Sequence, residues 1–342
     1  MARRGLGDGA AWHFDVPAEV GSMKGAKQTT LRHPVAVSGI GVHSGLPVTL
    51  TLHPAGDDSG IVFQRVSTDG SIEREIRADV RAVTATEFAT VLGDAKGPLC
   101  STAEHLLAAL RGLYVDNVVV EVDGPEVPIM DGSAAAFVDA IDQAGLTSRA
   151  LPRRYIEVVK TVSVAKDAAF GELRPYQHGF RVDAEIEFDH PLIGQQALSL
   201  DIEPDTFRRE IARARTFGFM KDVAKLWSAG YALGASFENT LVVSEDRVLN
   251  PEGLRFADEF VRHKVLDAIG DLALAGQPLL AAYRTIRGGH KLNHAVLRAL
   301  IADRTAWRVV EGATVRRPRV HAEALGGMVG GIIAPAYGPD VS

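Results

Sequence analysis

The chain has 342 residues, of which 46% are hydrophobic and 23% are charged, values typical of a globular protein long enough for two domains. Its formal net charge of −6 argues against nucleic acid as a partner, because proteins that bind the phosphate backbone usually present a basic domain. A single cysteine, Cys100, excludes an internal disulfide, and no apolar run is long enough to span a bilayer, so we expect a cytoplasmic protein.

The first half of the sequence predicts strands followed by helices. Residues 1–22 are rich in Gly and Ala without periodicity, and we predict a disordered extension there. Apolar residues then alternate with polar ones around glycines in “HPVAVSGIGVHSGLPVTLTLHPA”, “GIVFQRV” and “EFATVLG”, which indicates strands. A helix is predicted from Ser101, a strand pair around “DNVVVEVDG”, and a second helix from about Ser133 to Gly145. These elements define an N-terminal α+β domain over residues 23–148.

The second half repeats this order. The polar segment “LTSRALPRRY” contains proline and follows a helix stop, so it predicts the link to a C-terminal α+β domain over residues 149–320. Strands are predicted in “YIEVVKTVSVA”, “GELRPY”, “FRVDAEIEF” and “QALSLDI”, then helices, then “TLVVSE”. Grouped strands and helices favour α+β layers over alternating βαβ units. Residues 321–342 are glycine-rich and predict a loose C-terminal tail.

A polar ladder runs along the predicted helix “DEFVRHKVLDAIGDLAL”, residues 258–274. His263, Asp267 and Asp271 recur at every fourth position, so they form one stripe opposite an apolar stripe. One interpretation is a set of i,i+4 ion pairs on an exposed face, worth a few tenths of a kcal/mol. The other is a metal site, because two side chains one turn apart can chelate one ion. A third ligand from elsewhere would decide between them.

Two further stretches carry polar side chains suited to hydrolysis. In “CSTAEHLLAAL”, Glu104 can close a capping box with Ser101, and His105 can be a surface histidine of the first turn. Alternatively, a carboxylate beside a metal ligand is what metal-assisted hydrolysis needs. In “IRGGHKLNHA”, His290 follows two glycines on a predicted loop, where it is either a turn residue or a proton donor. Asp271 would then hold such an imidazole protonated.

Taken together, these stretches resemble a known enzyme family. The matching motifs, in chain order, are “SGIGVHSG”, “CSTAEHLLAAL”, “EVPIMDGSA”, “RARTFGF” and “LNPEGLRFADEFVRHKVLDAIGDLAL”, followed by “GGHKLN”. They resemble the UDP-3-O-acyl-N-acetylglucosamine deacetylases, the zinc amidases of lipid A biosynthesis in Gram-negative bacteria, from about residue 29 to about 310. The resemblance implies zinc-dependent release of acetate from the N-acetyl amide of UDP-3-O-acyl-N-acetylglucosamine. It also implies two β-α-α-β sandwich domains of similar topology, packed together with the active site in the cleft between them, and we expect a monomer.

The resemblance also implies a role for individual residues. The implied Zn²⁺ ligands are His105, His263 and Asp267. The implied catalytic residues are the general base Glu104, the general acid His290, its orienting partner Asp271 and the oxyanion-stabilising Thr216. The implied substrate-binding residues are Phe217 on the sugar, Lys264 on a polar group, and Phe219, Met220, Val223, Ala232 and Ala235 along an acyl-chain passage. An apolar stripe of this kind is also compatible with plain core, and neither His43 nor Cys100 is assigned a catalytic task.

Other functions fit the sequence less well. A zinc amidase or peptidase acting on another amide is disfavoured by the missing H-E-x-x-H motif and by the length of the resemblance. A binding protein that has lost activity would usually lack a metal ligand or the base. The sequence retains all of the residues concerned, which are Glu104, His105, His263, Asp267, Asp271 and His290. “GIGVHSG” is not the dinucleotide-binding G-x-G-x-x-G pattern. Iron would accept the same two histidines and aspartate as zinc.

Overall fold

The computed structural model of the protein describes residues 26–312, so the extension predicted over residues 1–22 and the tail predicted over residues 321–342 lie outside the described part. In the first half, the elements are β1 (Lys27–Leu31), β2 (Val35–Ile40), β3 (Pro47–Pro54), β4 (Ile61–Val66), β5 (Ile72–Arg77), β6 (Val83–Ala85), β7 (Val91–Asp94), β8 (Gly97–Cys100), α1 (Glu104–Gly112), β9 (Val118–Val122) and α2 (Ala135–Ala144).

The second half contains more strands and the longest helices. Its elements are β10 (Leu146–Pro152), β11 (Arg154–Val158), β12 (Val162–Lys166), β13 (Ala169–Pro175), β14 (Phe180–Glu187), β15 (Gln195–Asp201), α3 (Pro204–Thr206), β16 (Phe217–Phe219), α4 (Val223–Ser228), β17 (Leu241–Val243), α5 (Glu259–Ala273), β18 (Leu279–Ile286), α6 (His290–Ala302) and β19 (Trp307–Glu311). Helices mostly follow blocks of strands in both halves, as expected of an α+β protein.

Five strands of the first half form one sheet in the order β2-β3-β9-β4-β5, in which only β4 and β9 run parallel. Along β3, Val48, Leu50 and Leu52 are buried, while the residues between them are partly exposed. This period of two places one face of the sheet on the core. Strands β6, β7 and β8 form a separate antiparallel sheet, which ends directly before α1.

The segment predicted to link the halves is itself a strand, because β10 pairs antiparallel with β1. A seven-stranded sheet then follows the path β12-β13-β18-β11-β19, with β14 beside β18 and β15 beside β14. The short strands β16 and β17 pair in parallel outside this sheet. No helix within residues 26–312 combines the length and the apolar content needed to cross a membrane.

Helix α5 lies at the centre of the fold. Of its 15 residues, 13 are buried, and it packs against α1, α6 and strands β14 and β15. Its contact with α1 is so close that a Cβ atom at Gly270 would lie 2.0 Å from the carbonyl oxygen of Glu104. The chain reverses after the helix at Gly276, where φ is +83°. Because His263, Asp267 and Asp271 are all buried, the interpretation of the ladder as an exposed ion-pair face is wrong.

Candidate metal centre and active site

Three side chains predicted as metal ligands meet at the contact between α1 and α5. Within residues 26–312, His105, His263 and Asp267 form a group whose ligand atoms all lie within 4.8 Å of one another. The Oδ1 atom of Asp267 lies 3.2 Å from Nε2 of His263 and 3.7 Å from Nε2 of His105. All three side chains are buried. The third ligand that the sequence required therefore comes from the first half of the chain.

Neighbouring groups fix the orientation of these ligands. The Nδ1 atom of His263 lies 3.0 Å from the carbonyl oxygen of Ala214 and must donate to it, which leaves Nε2 without a proton in the neutral ring. The Nζ atom of Lys264 donates to Oδ2 of Asp267 at 2.7 Å. The other oxygen, Oδ1, is buried without a hydrogen-bond partner among the described residues. An orphaned carboxylate oxygen facing two imidazole nitrogens fits a cation, and this N/N/O set suits zinc.

The protonation states of these ligands also favour a cation. Burial, the largest effect, lowers the pKa of His263 to about 3, so its imidazole is neutral at pH 7. Burial acts in the opposite direction on Asp267, but His263 and Lys264 hold the pKa of its carboxyl well below the usual range. A neutral imidazole and an ionised carboxylate are the forms that coordinate a metal ion.

Glu104, the predicted base, is the first residue of α1 and is buried. Its Oε2 atom accepts a hydrogen bond from the backbone N–H of Thr90 at 3.0 Å. The capping box predicted with Ser101 does not form, because the Ser101 N–H donates to Pro125 instead, and the helix starts three residues later than predicted. Burial raises the pKa of Glu104 above its ordinary value. A carboxylate with a raised pKa beside a metal site is suited to accept a proton.

His290, the predicted acid, is the first residue of α6 rather than part of a loop. Its Nδ1 atom lies 2.8 Å from Oδ2 of Asp271, and its Nε2 atom lies 3.7 Å from Oε1 of Glu104. Burial acts to lower the pKa of His290, but the carboxylates of Asp271 and Glu104 outweigh it and raise that pKa to about 10. His290 is therefore protonated at pH 7 and faces the predicted base.

Asp271 has partners that the sequence did not reveal. Besides His290, its carboxylate accepts hydrogen bonds from Thr90 Oγ1 at 2.6 Å and Asn293 Nδ2 at 2.8 Å, and His294 Nε2 lies 3.3 Å away. Asn293 and His294 lie in the stretch “IRGGHKLNHA”, three and four positions after His290. This helical spacing is a sequence signal that could have identified them. Thr90 carried no such signal, because it is 181 positions from Asp271 along the chain.

The predicted substrate-binding residues nearest the ligands are Phe217 and Lys264. The ring of Phe217 packs edge-on against Phe260 at 5.0 Å between centroids and lies 6.4 Å from the ring of His263. The Nζ atom of Lys264 lies 5.7 Å from the centre of the Phe217 ring. Thr216 precedes this phenylalanine, and its backbone N–H donates to Gly132 at 2.8 Å. A half-buried aromatic face and a cation therefore border the metal centre.

The predicted acyl-chain residues lie on β16 and in the segment that follows it. Phe219 is half-buried beside Phe188 and His190, whose ring centroids are 5.8 and 5.5 Å from its own. Met220 is 53% exposed, and Val223 begins α4, which has no buried residue. Further along the segment, Ala232 and Ala235 are also half-buried. None of these five side chains is fully buried, although Phe219 packs against the hydrophobic core.

The residues left without a catalytic task have structural roles. Cys100 is fully buried, and burial raises the pKa of its thiol to about 12, which makes it inert. His43 accepts a hydrogen bond from the backbone N–H of Ala232 at 3.3 Å and packs edge-on against Tyr231. These contacts connect the turn after β2 with the end of the 217–235 segment.

A buried His/His/Asp group that could hold a metal ion, with a carboxylate and a protonated imidazole beside it, is typical of a metal-dependent hydrolase. Residues 28–302 match the family model of LpxC, described as UDP-3-O-acyl N-acetylglycosamine deacetylase. The chain therefore belongs to this deacetylase family, as its motifs indicated.

Similar proteins carry the same description. The chain is 48% identical over 287 residues to the UDP-3-O-acyl-N-acetylglucosamine deacetylase of Brucella ovis. The aligned region covers 84% of this chain and 99% of the relative. The proteins of the same name from Brucella canis and Brucella melitensis biotype 2 match with the same identity and coverage. The similarity therefore extends over nearly the whole of each relative.

Proposed function

We propose that this protein hydrolyses the N-acetyl amide of UDP-3-O-acyl-N-acetylglucosamine with zinc as its cofactor, releasing acetate in lipid A biosynthesis. The observation that carries the proposal is the orphaned Oδ1 atom of Asp267, which faces the Nε2 atoms of two histidines with Glu104 and His290 beside them. The relatives bearing this name support the choice of substrate.

The ligand set would hold the metal through two nitrogens and one oxygen, from His105, His263 and Asp267. When bound, zinc supplies Lewis acidity, which acidifies water and polarises an amide carbonyl. Glu104 takes the proton from the attacking water, and its raised pKa makes it a better proton acceptor than an ordinary glutamate. The N–H of Thr90 holds one oxygen of Glu104, and the other, Oε1, lies 3.7 Å from Nε2 of His290.

His290 supplies the proton that the departing nitrogen needs, because an amide anion is too basic to leave. Its Nδ1–H is directed at Asp271, so the proton on Nε2 is the one available for transfer. The distance of 3.7 Å between that Nε2 atom and Oε1 of Glu104 places the acid directly beside the base, so one bound group can reach both. A scissile amide bound there would contact both groups.

The remaining site residues would bind and orient the substrate. We assign the oxyanion contact to Thr216, the sugar face to Phe217 and a polar substrate group to Lys264. We assign the acyl chain to Phe219 and Val223, because both are only half-buried and adjoin exposed apolar side chains. An apolar surface of this kind suits an alkyl chain.

The larger organisation belongs to the same proposal. We assign residues 23–148 and 149–320 to two β-α-α-β sandwich domains with the cleft between them, since the ligands come from helices of both halves. A cytoplasmic location remains our prediction, based on composition and the single cysteine. A monomer also remains a prediction.

The test is the release of acetate from UDP-3-O-acyl-N-acetylglucosamine by the zinc-loaded protein. The same assay with UDP-N-acetylglucosamine, which lacks the 3-O-acyl chain, measures what the apolar segment contributes. We expect turnover of the acylated substrate and a much lower kcat/KM without the acyl chain. An inactive zinc-loaded protein would refute the proposed substrate, and equal kcat/KM values would refute the assignment of Phe219 and Val223.

A further inference from the structure

Thr90 is a fully buried residue that contacts both the predicted base, Glu104, and Asp271, the partner of the predicted acid. The sequence indicates no role for it. It lies directly before β7, and its backbone oxygen accepts from Ala103, the residue that precedes α1. Its backbone N–H donates to Oε2 of Glu104 at 3.0 Å, and its hydroxyl donates to Oδ1 of Asp271 at 2.6 Å. One residue thus holds the predicted base and the partner of the predicted acid.

We propose that Thr90 is a positioning residue that fixes Glu104 and Asp271 relative to each other. Because Asp271 orients His290, Thr90 thereby fixes the distance between the base that activates water and the acid that protonates the amine. The proposal rests on the proposed function and extends it to a group that touches neither the substrate nor the metal ligands. Groups that orient catalytic side chains in this way commonly change activity when they are lost.

The direction of the hydrogen bonds follows from what each atom can donate. An ionised Asp271 can only accept, so the hydroxyl proton of Thr90 points at Oδ1. The same hydroxyl lies 3.0 Å from Nε2 of His294 and must accept there, which places a proton on that nitrogen whatever the charge of the ring. The chain of donors therefore runs from His294 through Thr90 to Asp271.

The opposite side of Asp271 is fixed as well. Its Oδ2 atom accepts from His290 at 2.8 Å and from Asn293 at 2.8 Å, and the side-chain oxygen of Asn293 accepts from Tyr283 at 2.7 Å. Both oxygens of the carboxylate are thus held by donors. Removal of the Thr90 hydroxyl leaves Oδ1 with His294 alone, at 3.3 Å, and frees the carboxylate to rotate away from the geometry that orients His290.

The test compares Thr90→Val with Thr90→Ser in the zinc-loaded protein. Valine has the shape of threonine without the hydroxyl and keeps the N–H to Glu104, whereas serine keeps both donors. We expect Thr90→Val to lower kcat about tenfold to a hundredfold with KM nearly unchanged, and Thr90→Ser to recover most of the loss. Thr30→Val is the matched control, because Thr30 is also buried but its hydroxyl bonds only the N–H of Ala55, and it should turn over normally.

A second measurement does not depend on turnover. Nitrogen-15 NMR of the histidine rings should report a proton on Nε2 of His294 in the wild type and a changed Nε2 signal in Thr90→Val, while bound zinc stays at one per chain. An active wild type with an equally active Thr90→Val, or a loss that serine does not rescue, would overturn the role of Thr90. An inactive wild type would instead refute the proposed function. In that case the NMR measurement remains informative, because an unchanged His294 signal in Thr90→Val would overturn the proposed hydrogen bonds from His294 through Thr90 to Asp271.

Discussion

Two buried histidines of the site, His263 and His290, have opposite protonation states at pH 7. Burial keeps His263 neutral, whereas the carboxylates around His290 keep it charged, although both imidazoles lie in the same buried region. Burial acts to lower the pKa of both rings, and each ring has a carboxylate partner. Around His263 the charges of His105 and Lys264 add to the effect of burial, whereas around His290 the two carboxylates of Asp271 and Glu104 outweigh it. One histidine is thereby suited to coordinate a cation and the other to donate a proton.

Because the proposed metal ligands and the proposed base are different residues, substitutions should remove either turnover alone or the bound metal. Glu104→Gln should keep about one zinc per chain and lose about 10²- to 10⁴-fold in kcat, because it removes the base but no ligand. His263→Ala should lose the metal itself. Zinc content by mass spectrometry and acetate release measure the two effects, with Glu73→Gln, an exposed glutamate, as the control. Near-normal turnover in Glu104→Gln would show that another group is the base.

The pKa of His290 predicts a shift in the pH profile. The protonated form is required, so activity should fall as pH rises through that pKa, which the carboxylates raise to about 10. Asp271→Asn removes one of those charges, lowers the pKa and should move the alkaline limb of kcat to lower pH. Asp303→Asn, at an exposed salt bridge with Lys160, should leave the limb in place. An alkaline limb that Asp271→Asn does not move would mean that another group is the acid.

At the scale of secondary-structure elements, the ligands depend on the close contact between α1 and α5. Glycine at position 270 allows the backbones of the two helices to approach, since any side chain there would overlap the backbone at Glu104. Glycine usually weakens a helix interior by about 1 kcal/mol relative to alanine. Here the close packing that brings His105 to His263 and Asp267 offsets that cost.

Gly270→Ala should therefore destabilise the protein even though alanine favours helices. We expect the free energy of unfolding to fall by about 1–3 kcal/mol, with zinc bound more weakly because the helices separate. Urea unfolding measures this, and Gly56→Ala is the control, because its nearest atom would lie 3.6 Å from the new methyl group. A Gly270→Ala protein more stable than the wild type would show that the helices do not touch there.

Elements with strong periodicity could be predicted from the sequence, and those shaped by distant contacts could not. Helix α5 was predicted over residues 258–274 and spans Glu259–Ala273, because its apolar stripe repeats regularly. The start of α1 was misplaced because Glu104 bonds to Thr90 rather than to Ser101. The glycine pair before His290 predicts a loop, yet Gly289 is the residue before a helix.

Among the site residues, too, those in local sequence patterns could be predicted and those that depend on distant contacts could not. Spacing alone identified His263 and Asp267 as a pair one turn apart, and family motifs added His105 as the third ligand. The partners of Asp271 depend on how β7, α5 and α6 meet, and no local pattern specifies that contact. The role of Thr90 therefore emerges only from the fold.

In the molecule as a whole, the proposed metal ligands come from both halves of the chain. His105 belongs to the first half, and His263 and Asp267 belong to the second. A cation that binds the folded state alone stabilises it according to its free concentration and affinity, by about 4 kcal/mol at a thousand times Kd. Zinc should thus stabilise the fold as well as support catalysis.

Chelation should accordingly lower the melting temperature by several degrees, and added zinc should restore it. His263→Ala should melt at the same temperature with and without chelator, whereas His33→Ala, at an exposed histidine, should respond like the wild type. Scanning calorimetry measures both. Equal melting temperatures for zinc-loaded and chelated wild type would argue against a metal shared by the two halves.

Acetate release from UDP-3-O-acyl-N-acetylglucosamine at defined zinc content shows directly whether this protein is a zinc-dependent deacetylase. The assay is run on the purified protein, again after chelation, and again as zinc is returned up to one equivalent. We predict that activity is lost on chelation and recovers in proportion to zinc, reaching its maximum at one ion per chain. Activity that survives complete removal of metal, or that zinc fails to restore, would show that the reaction does not depend on zinc.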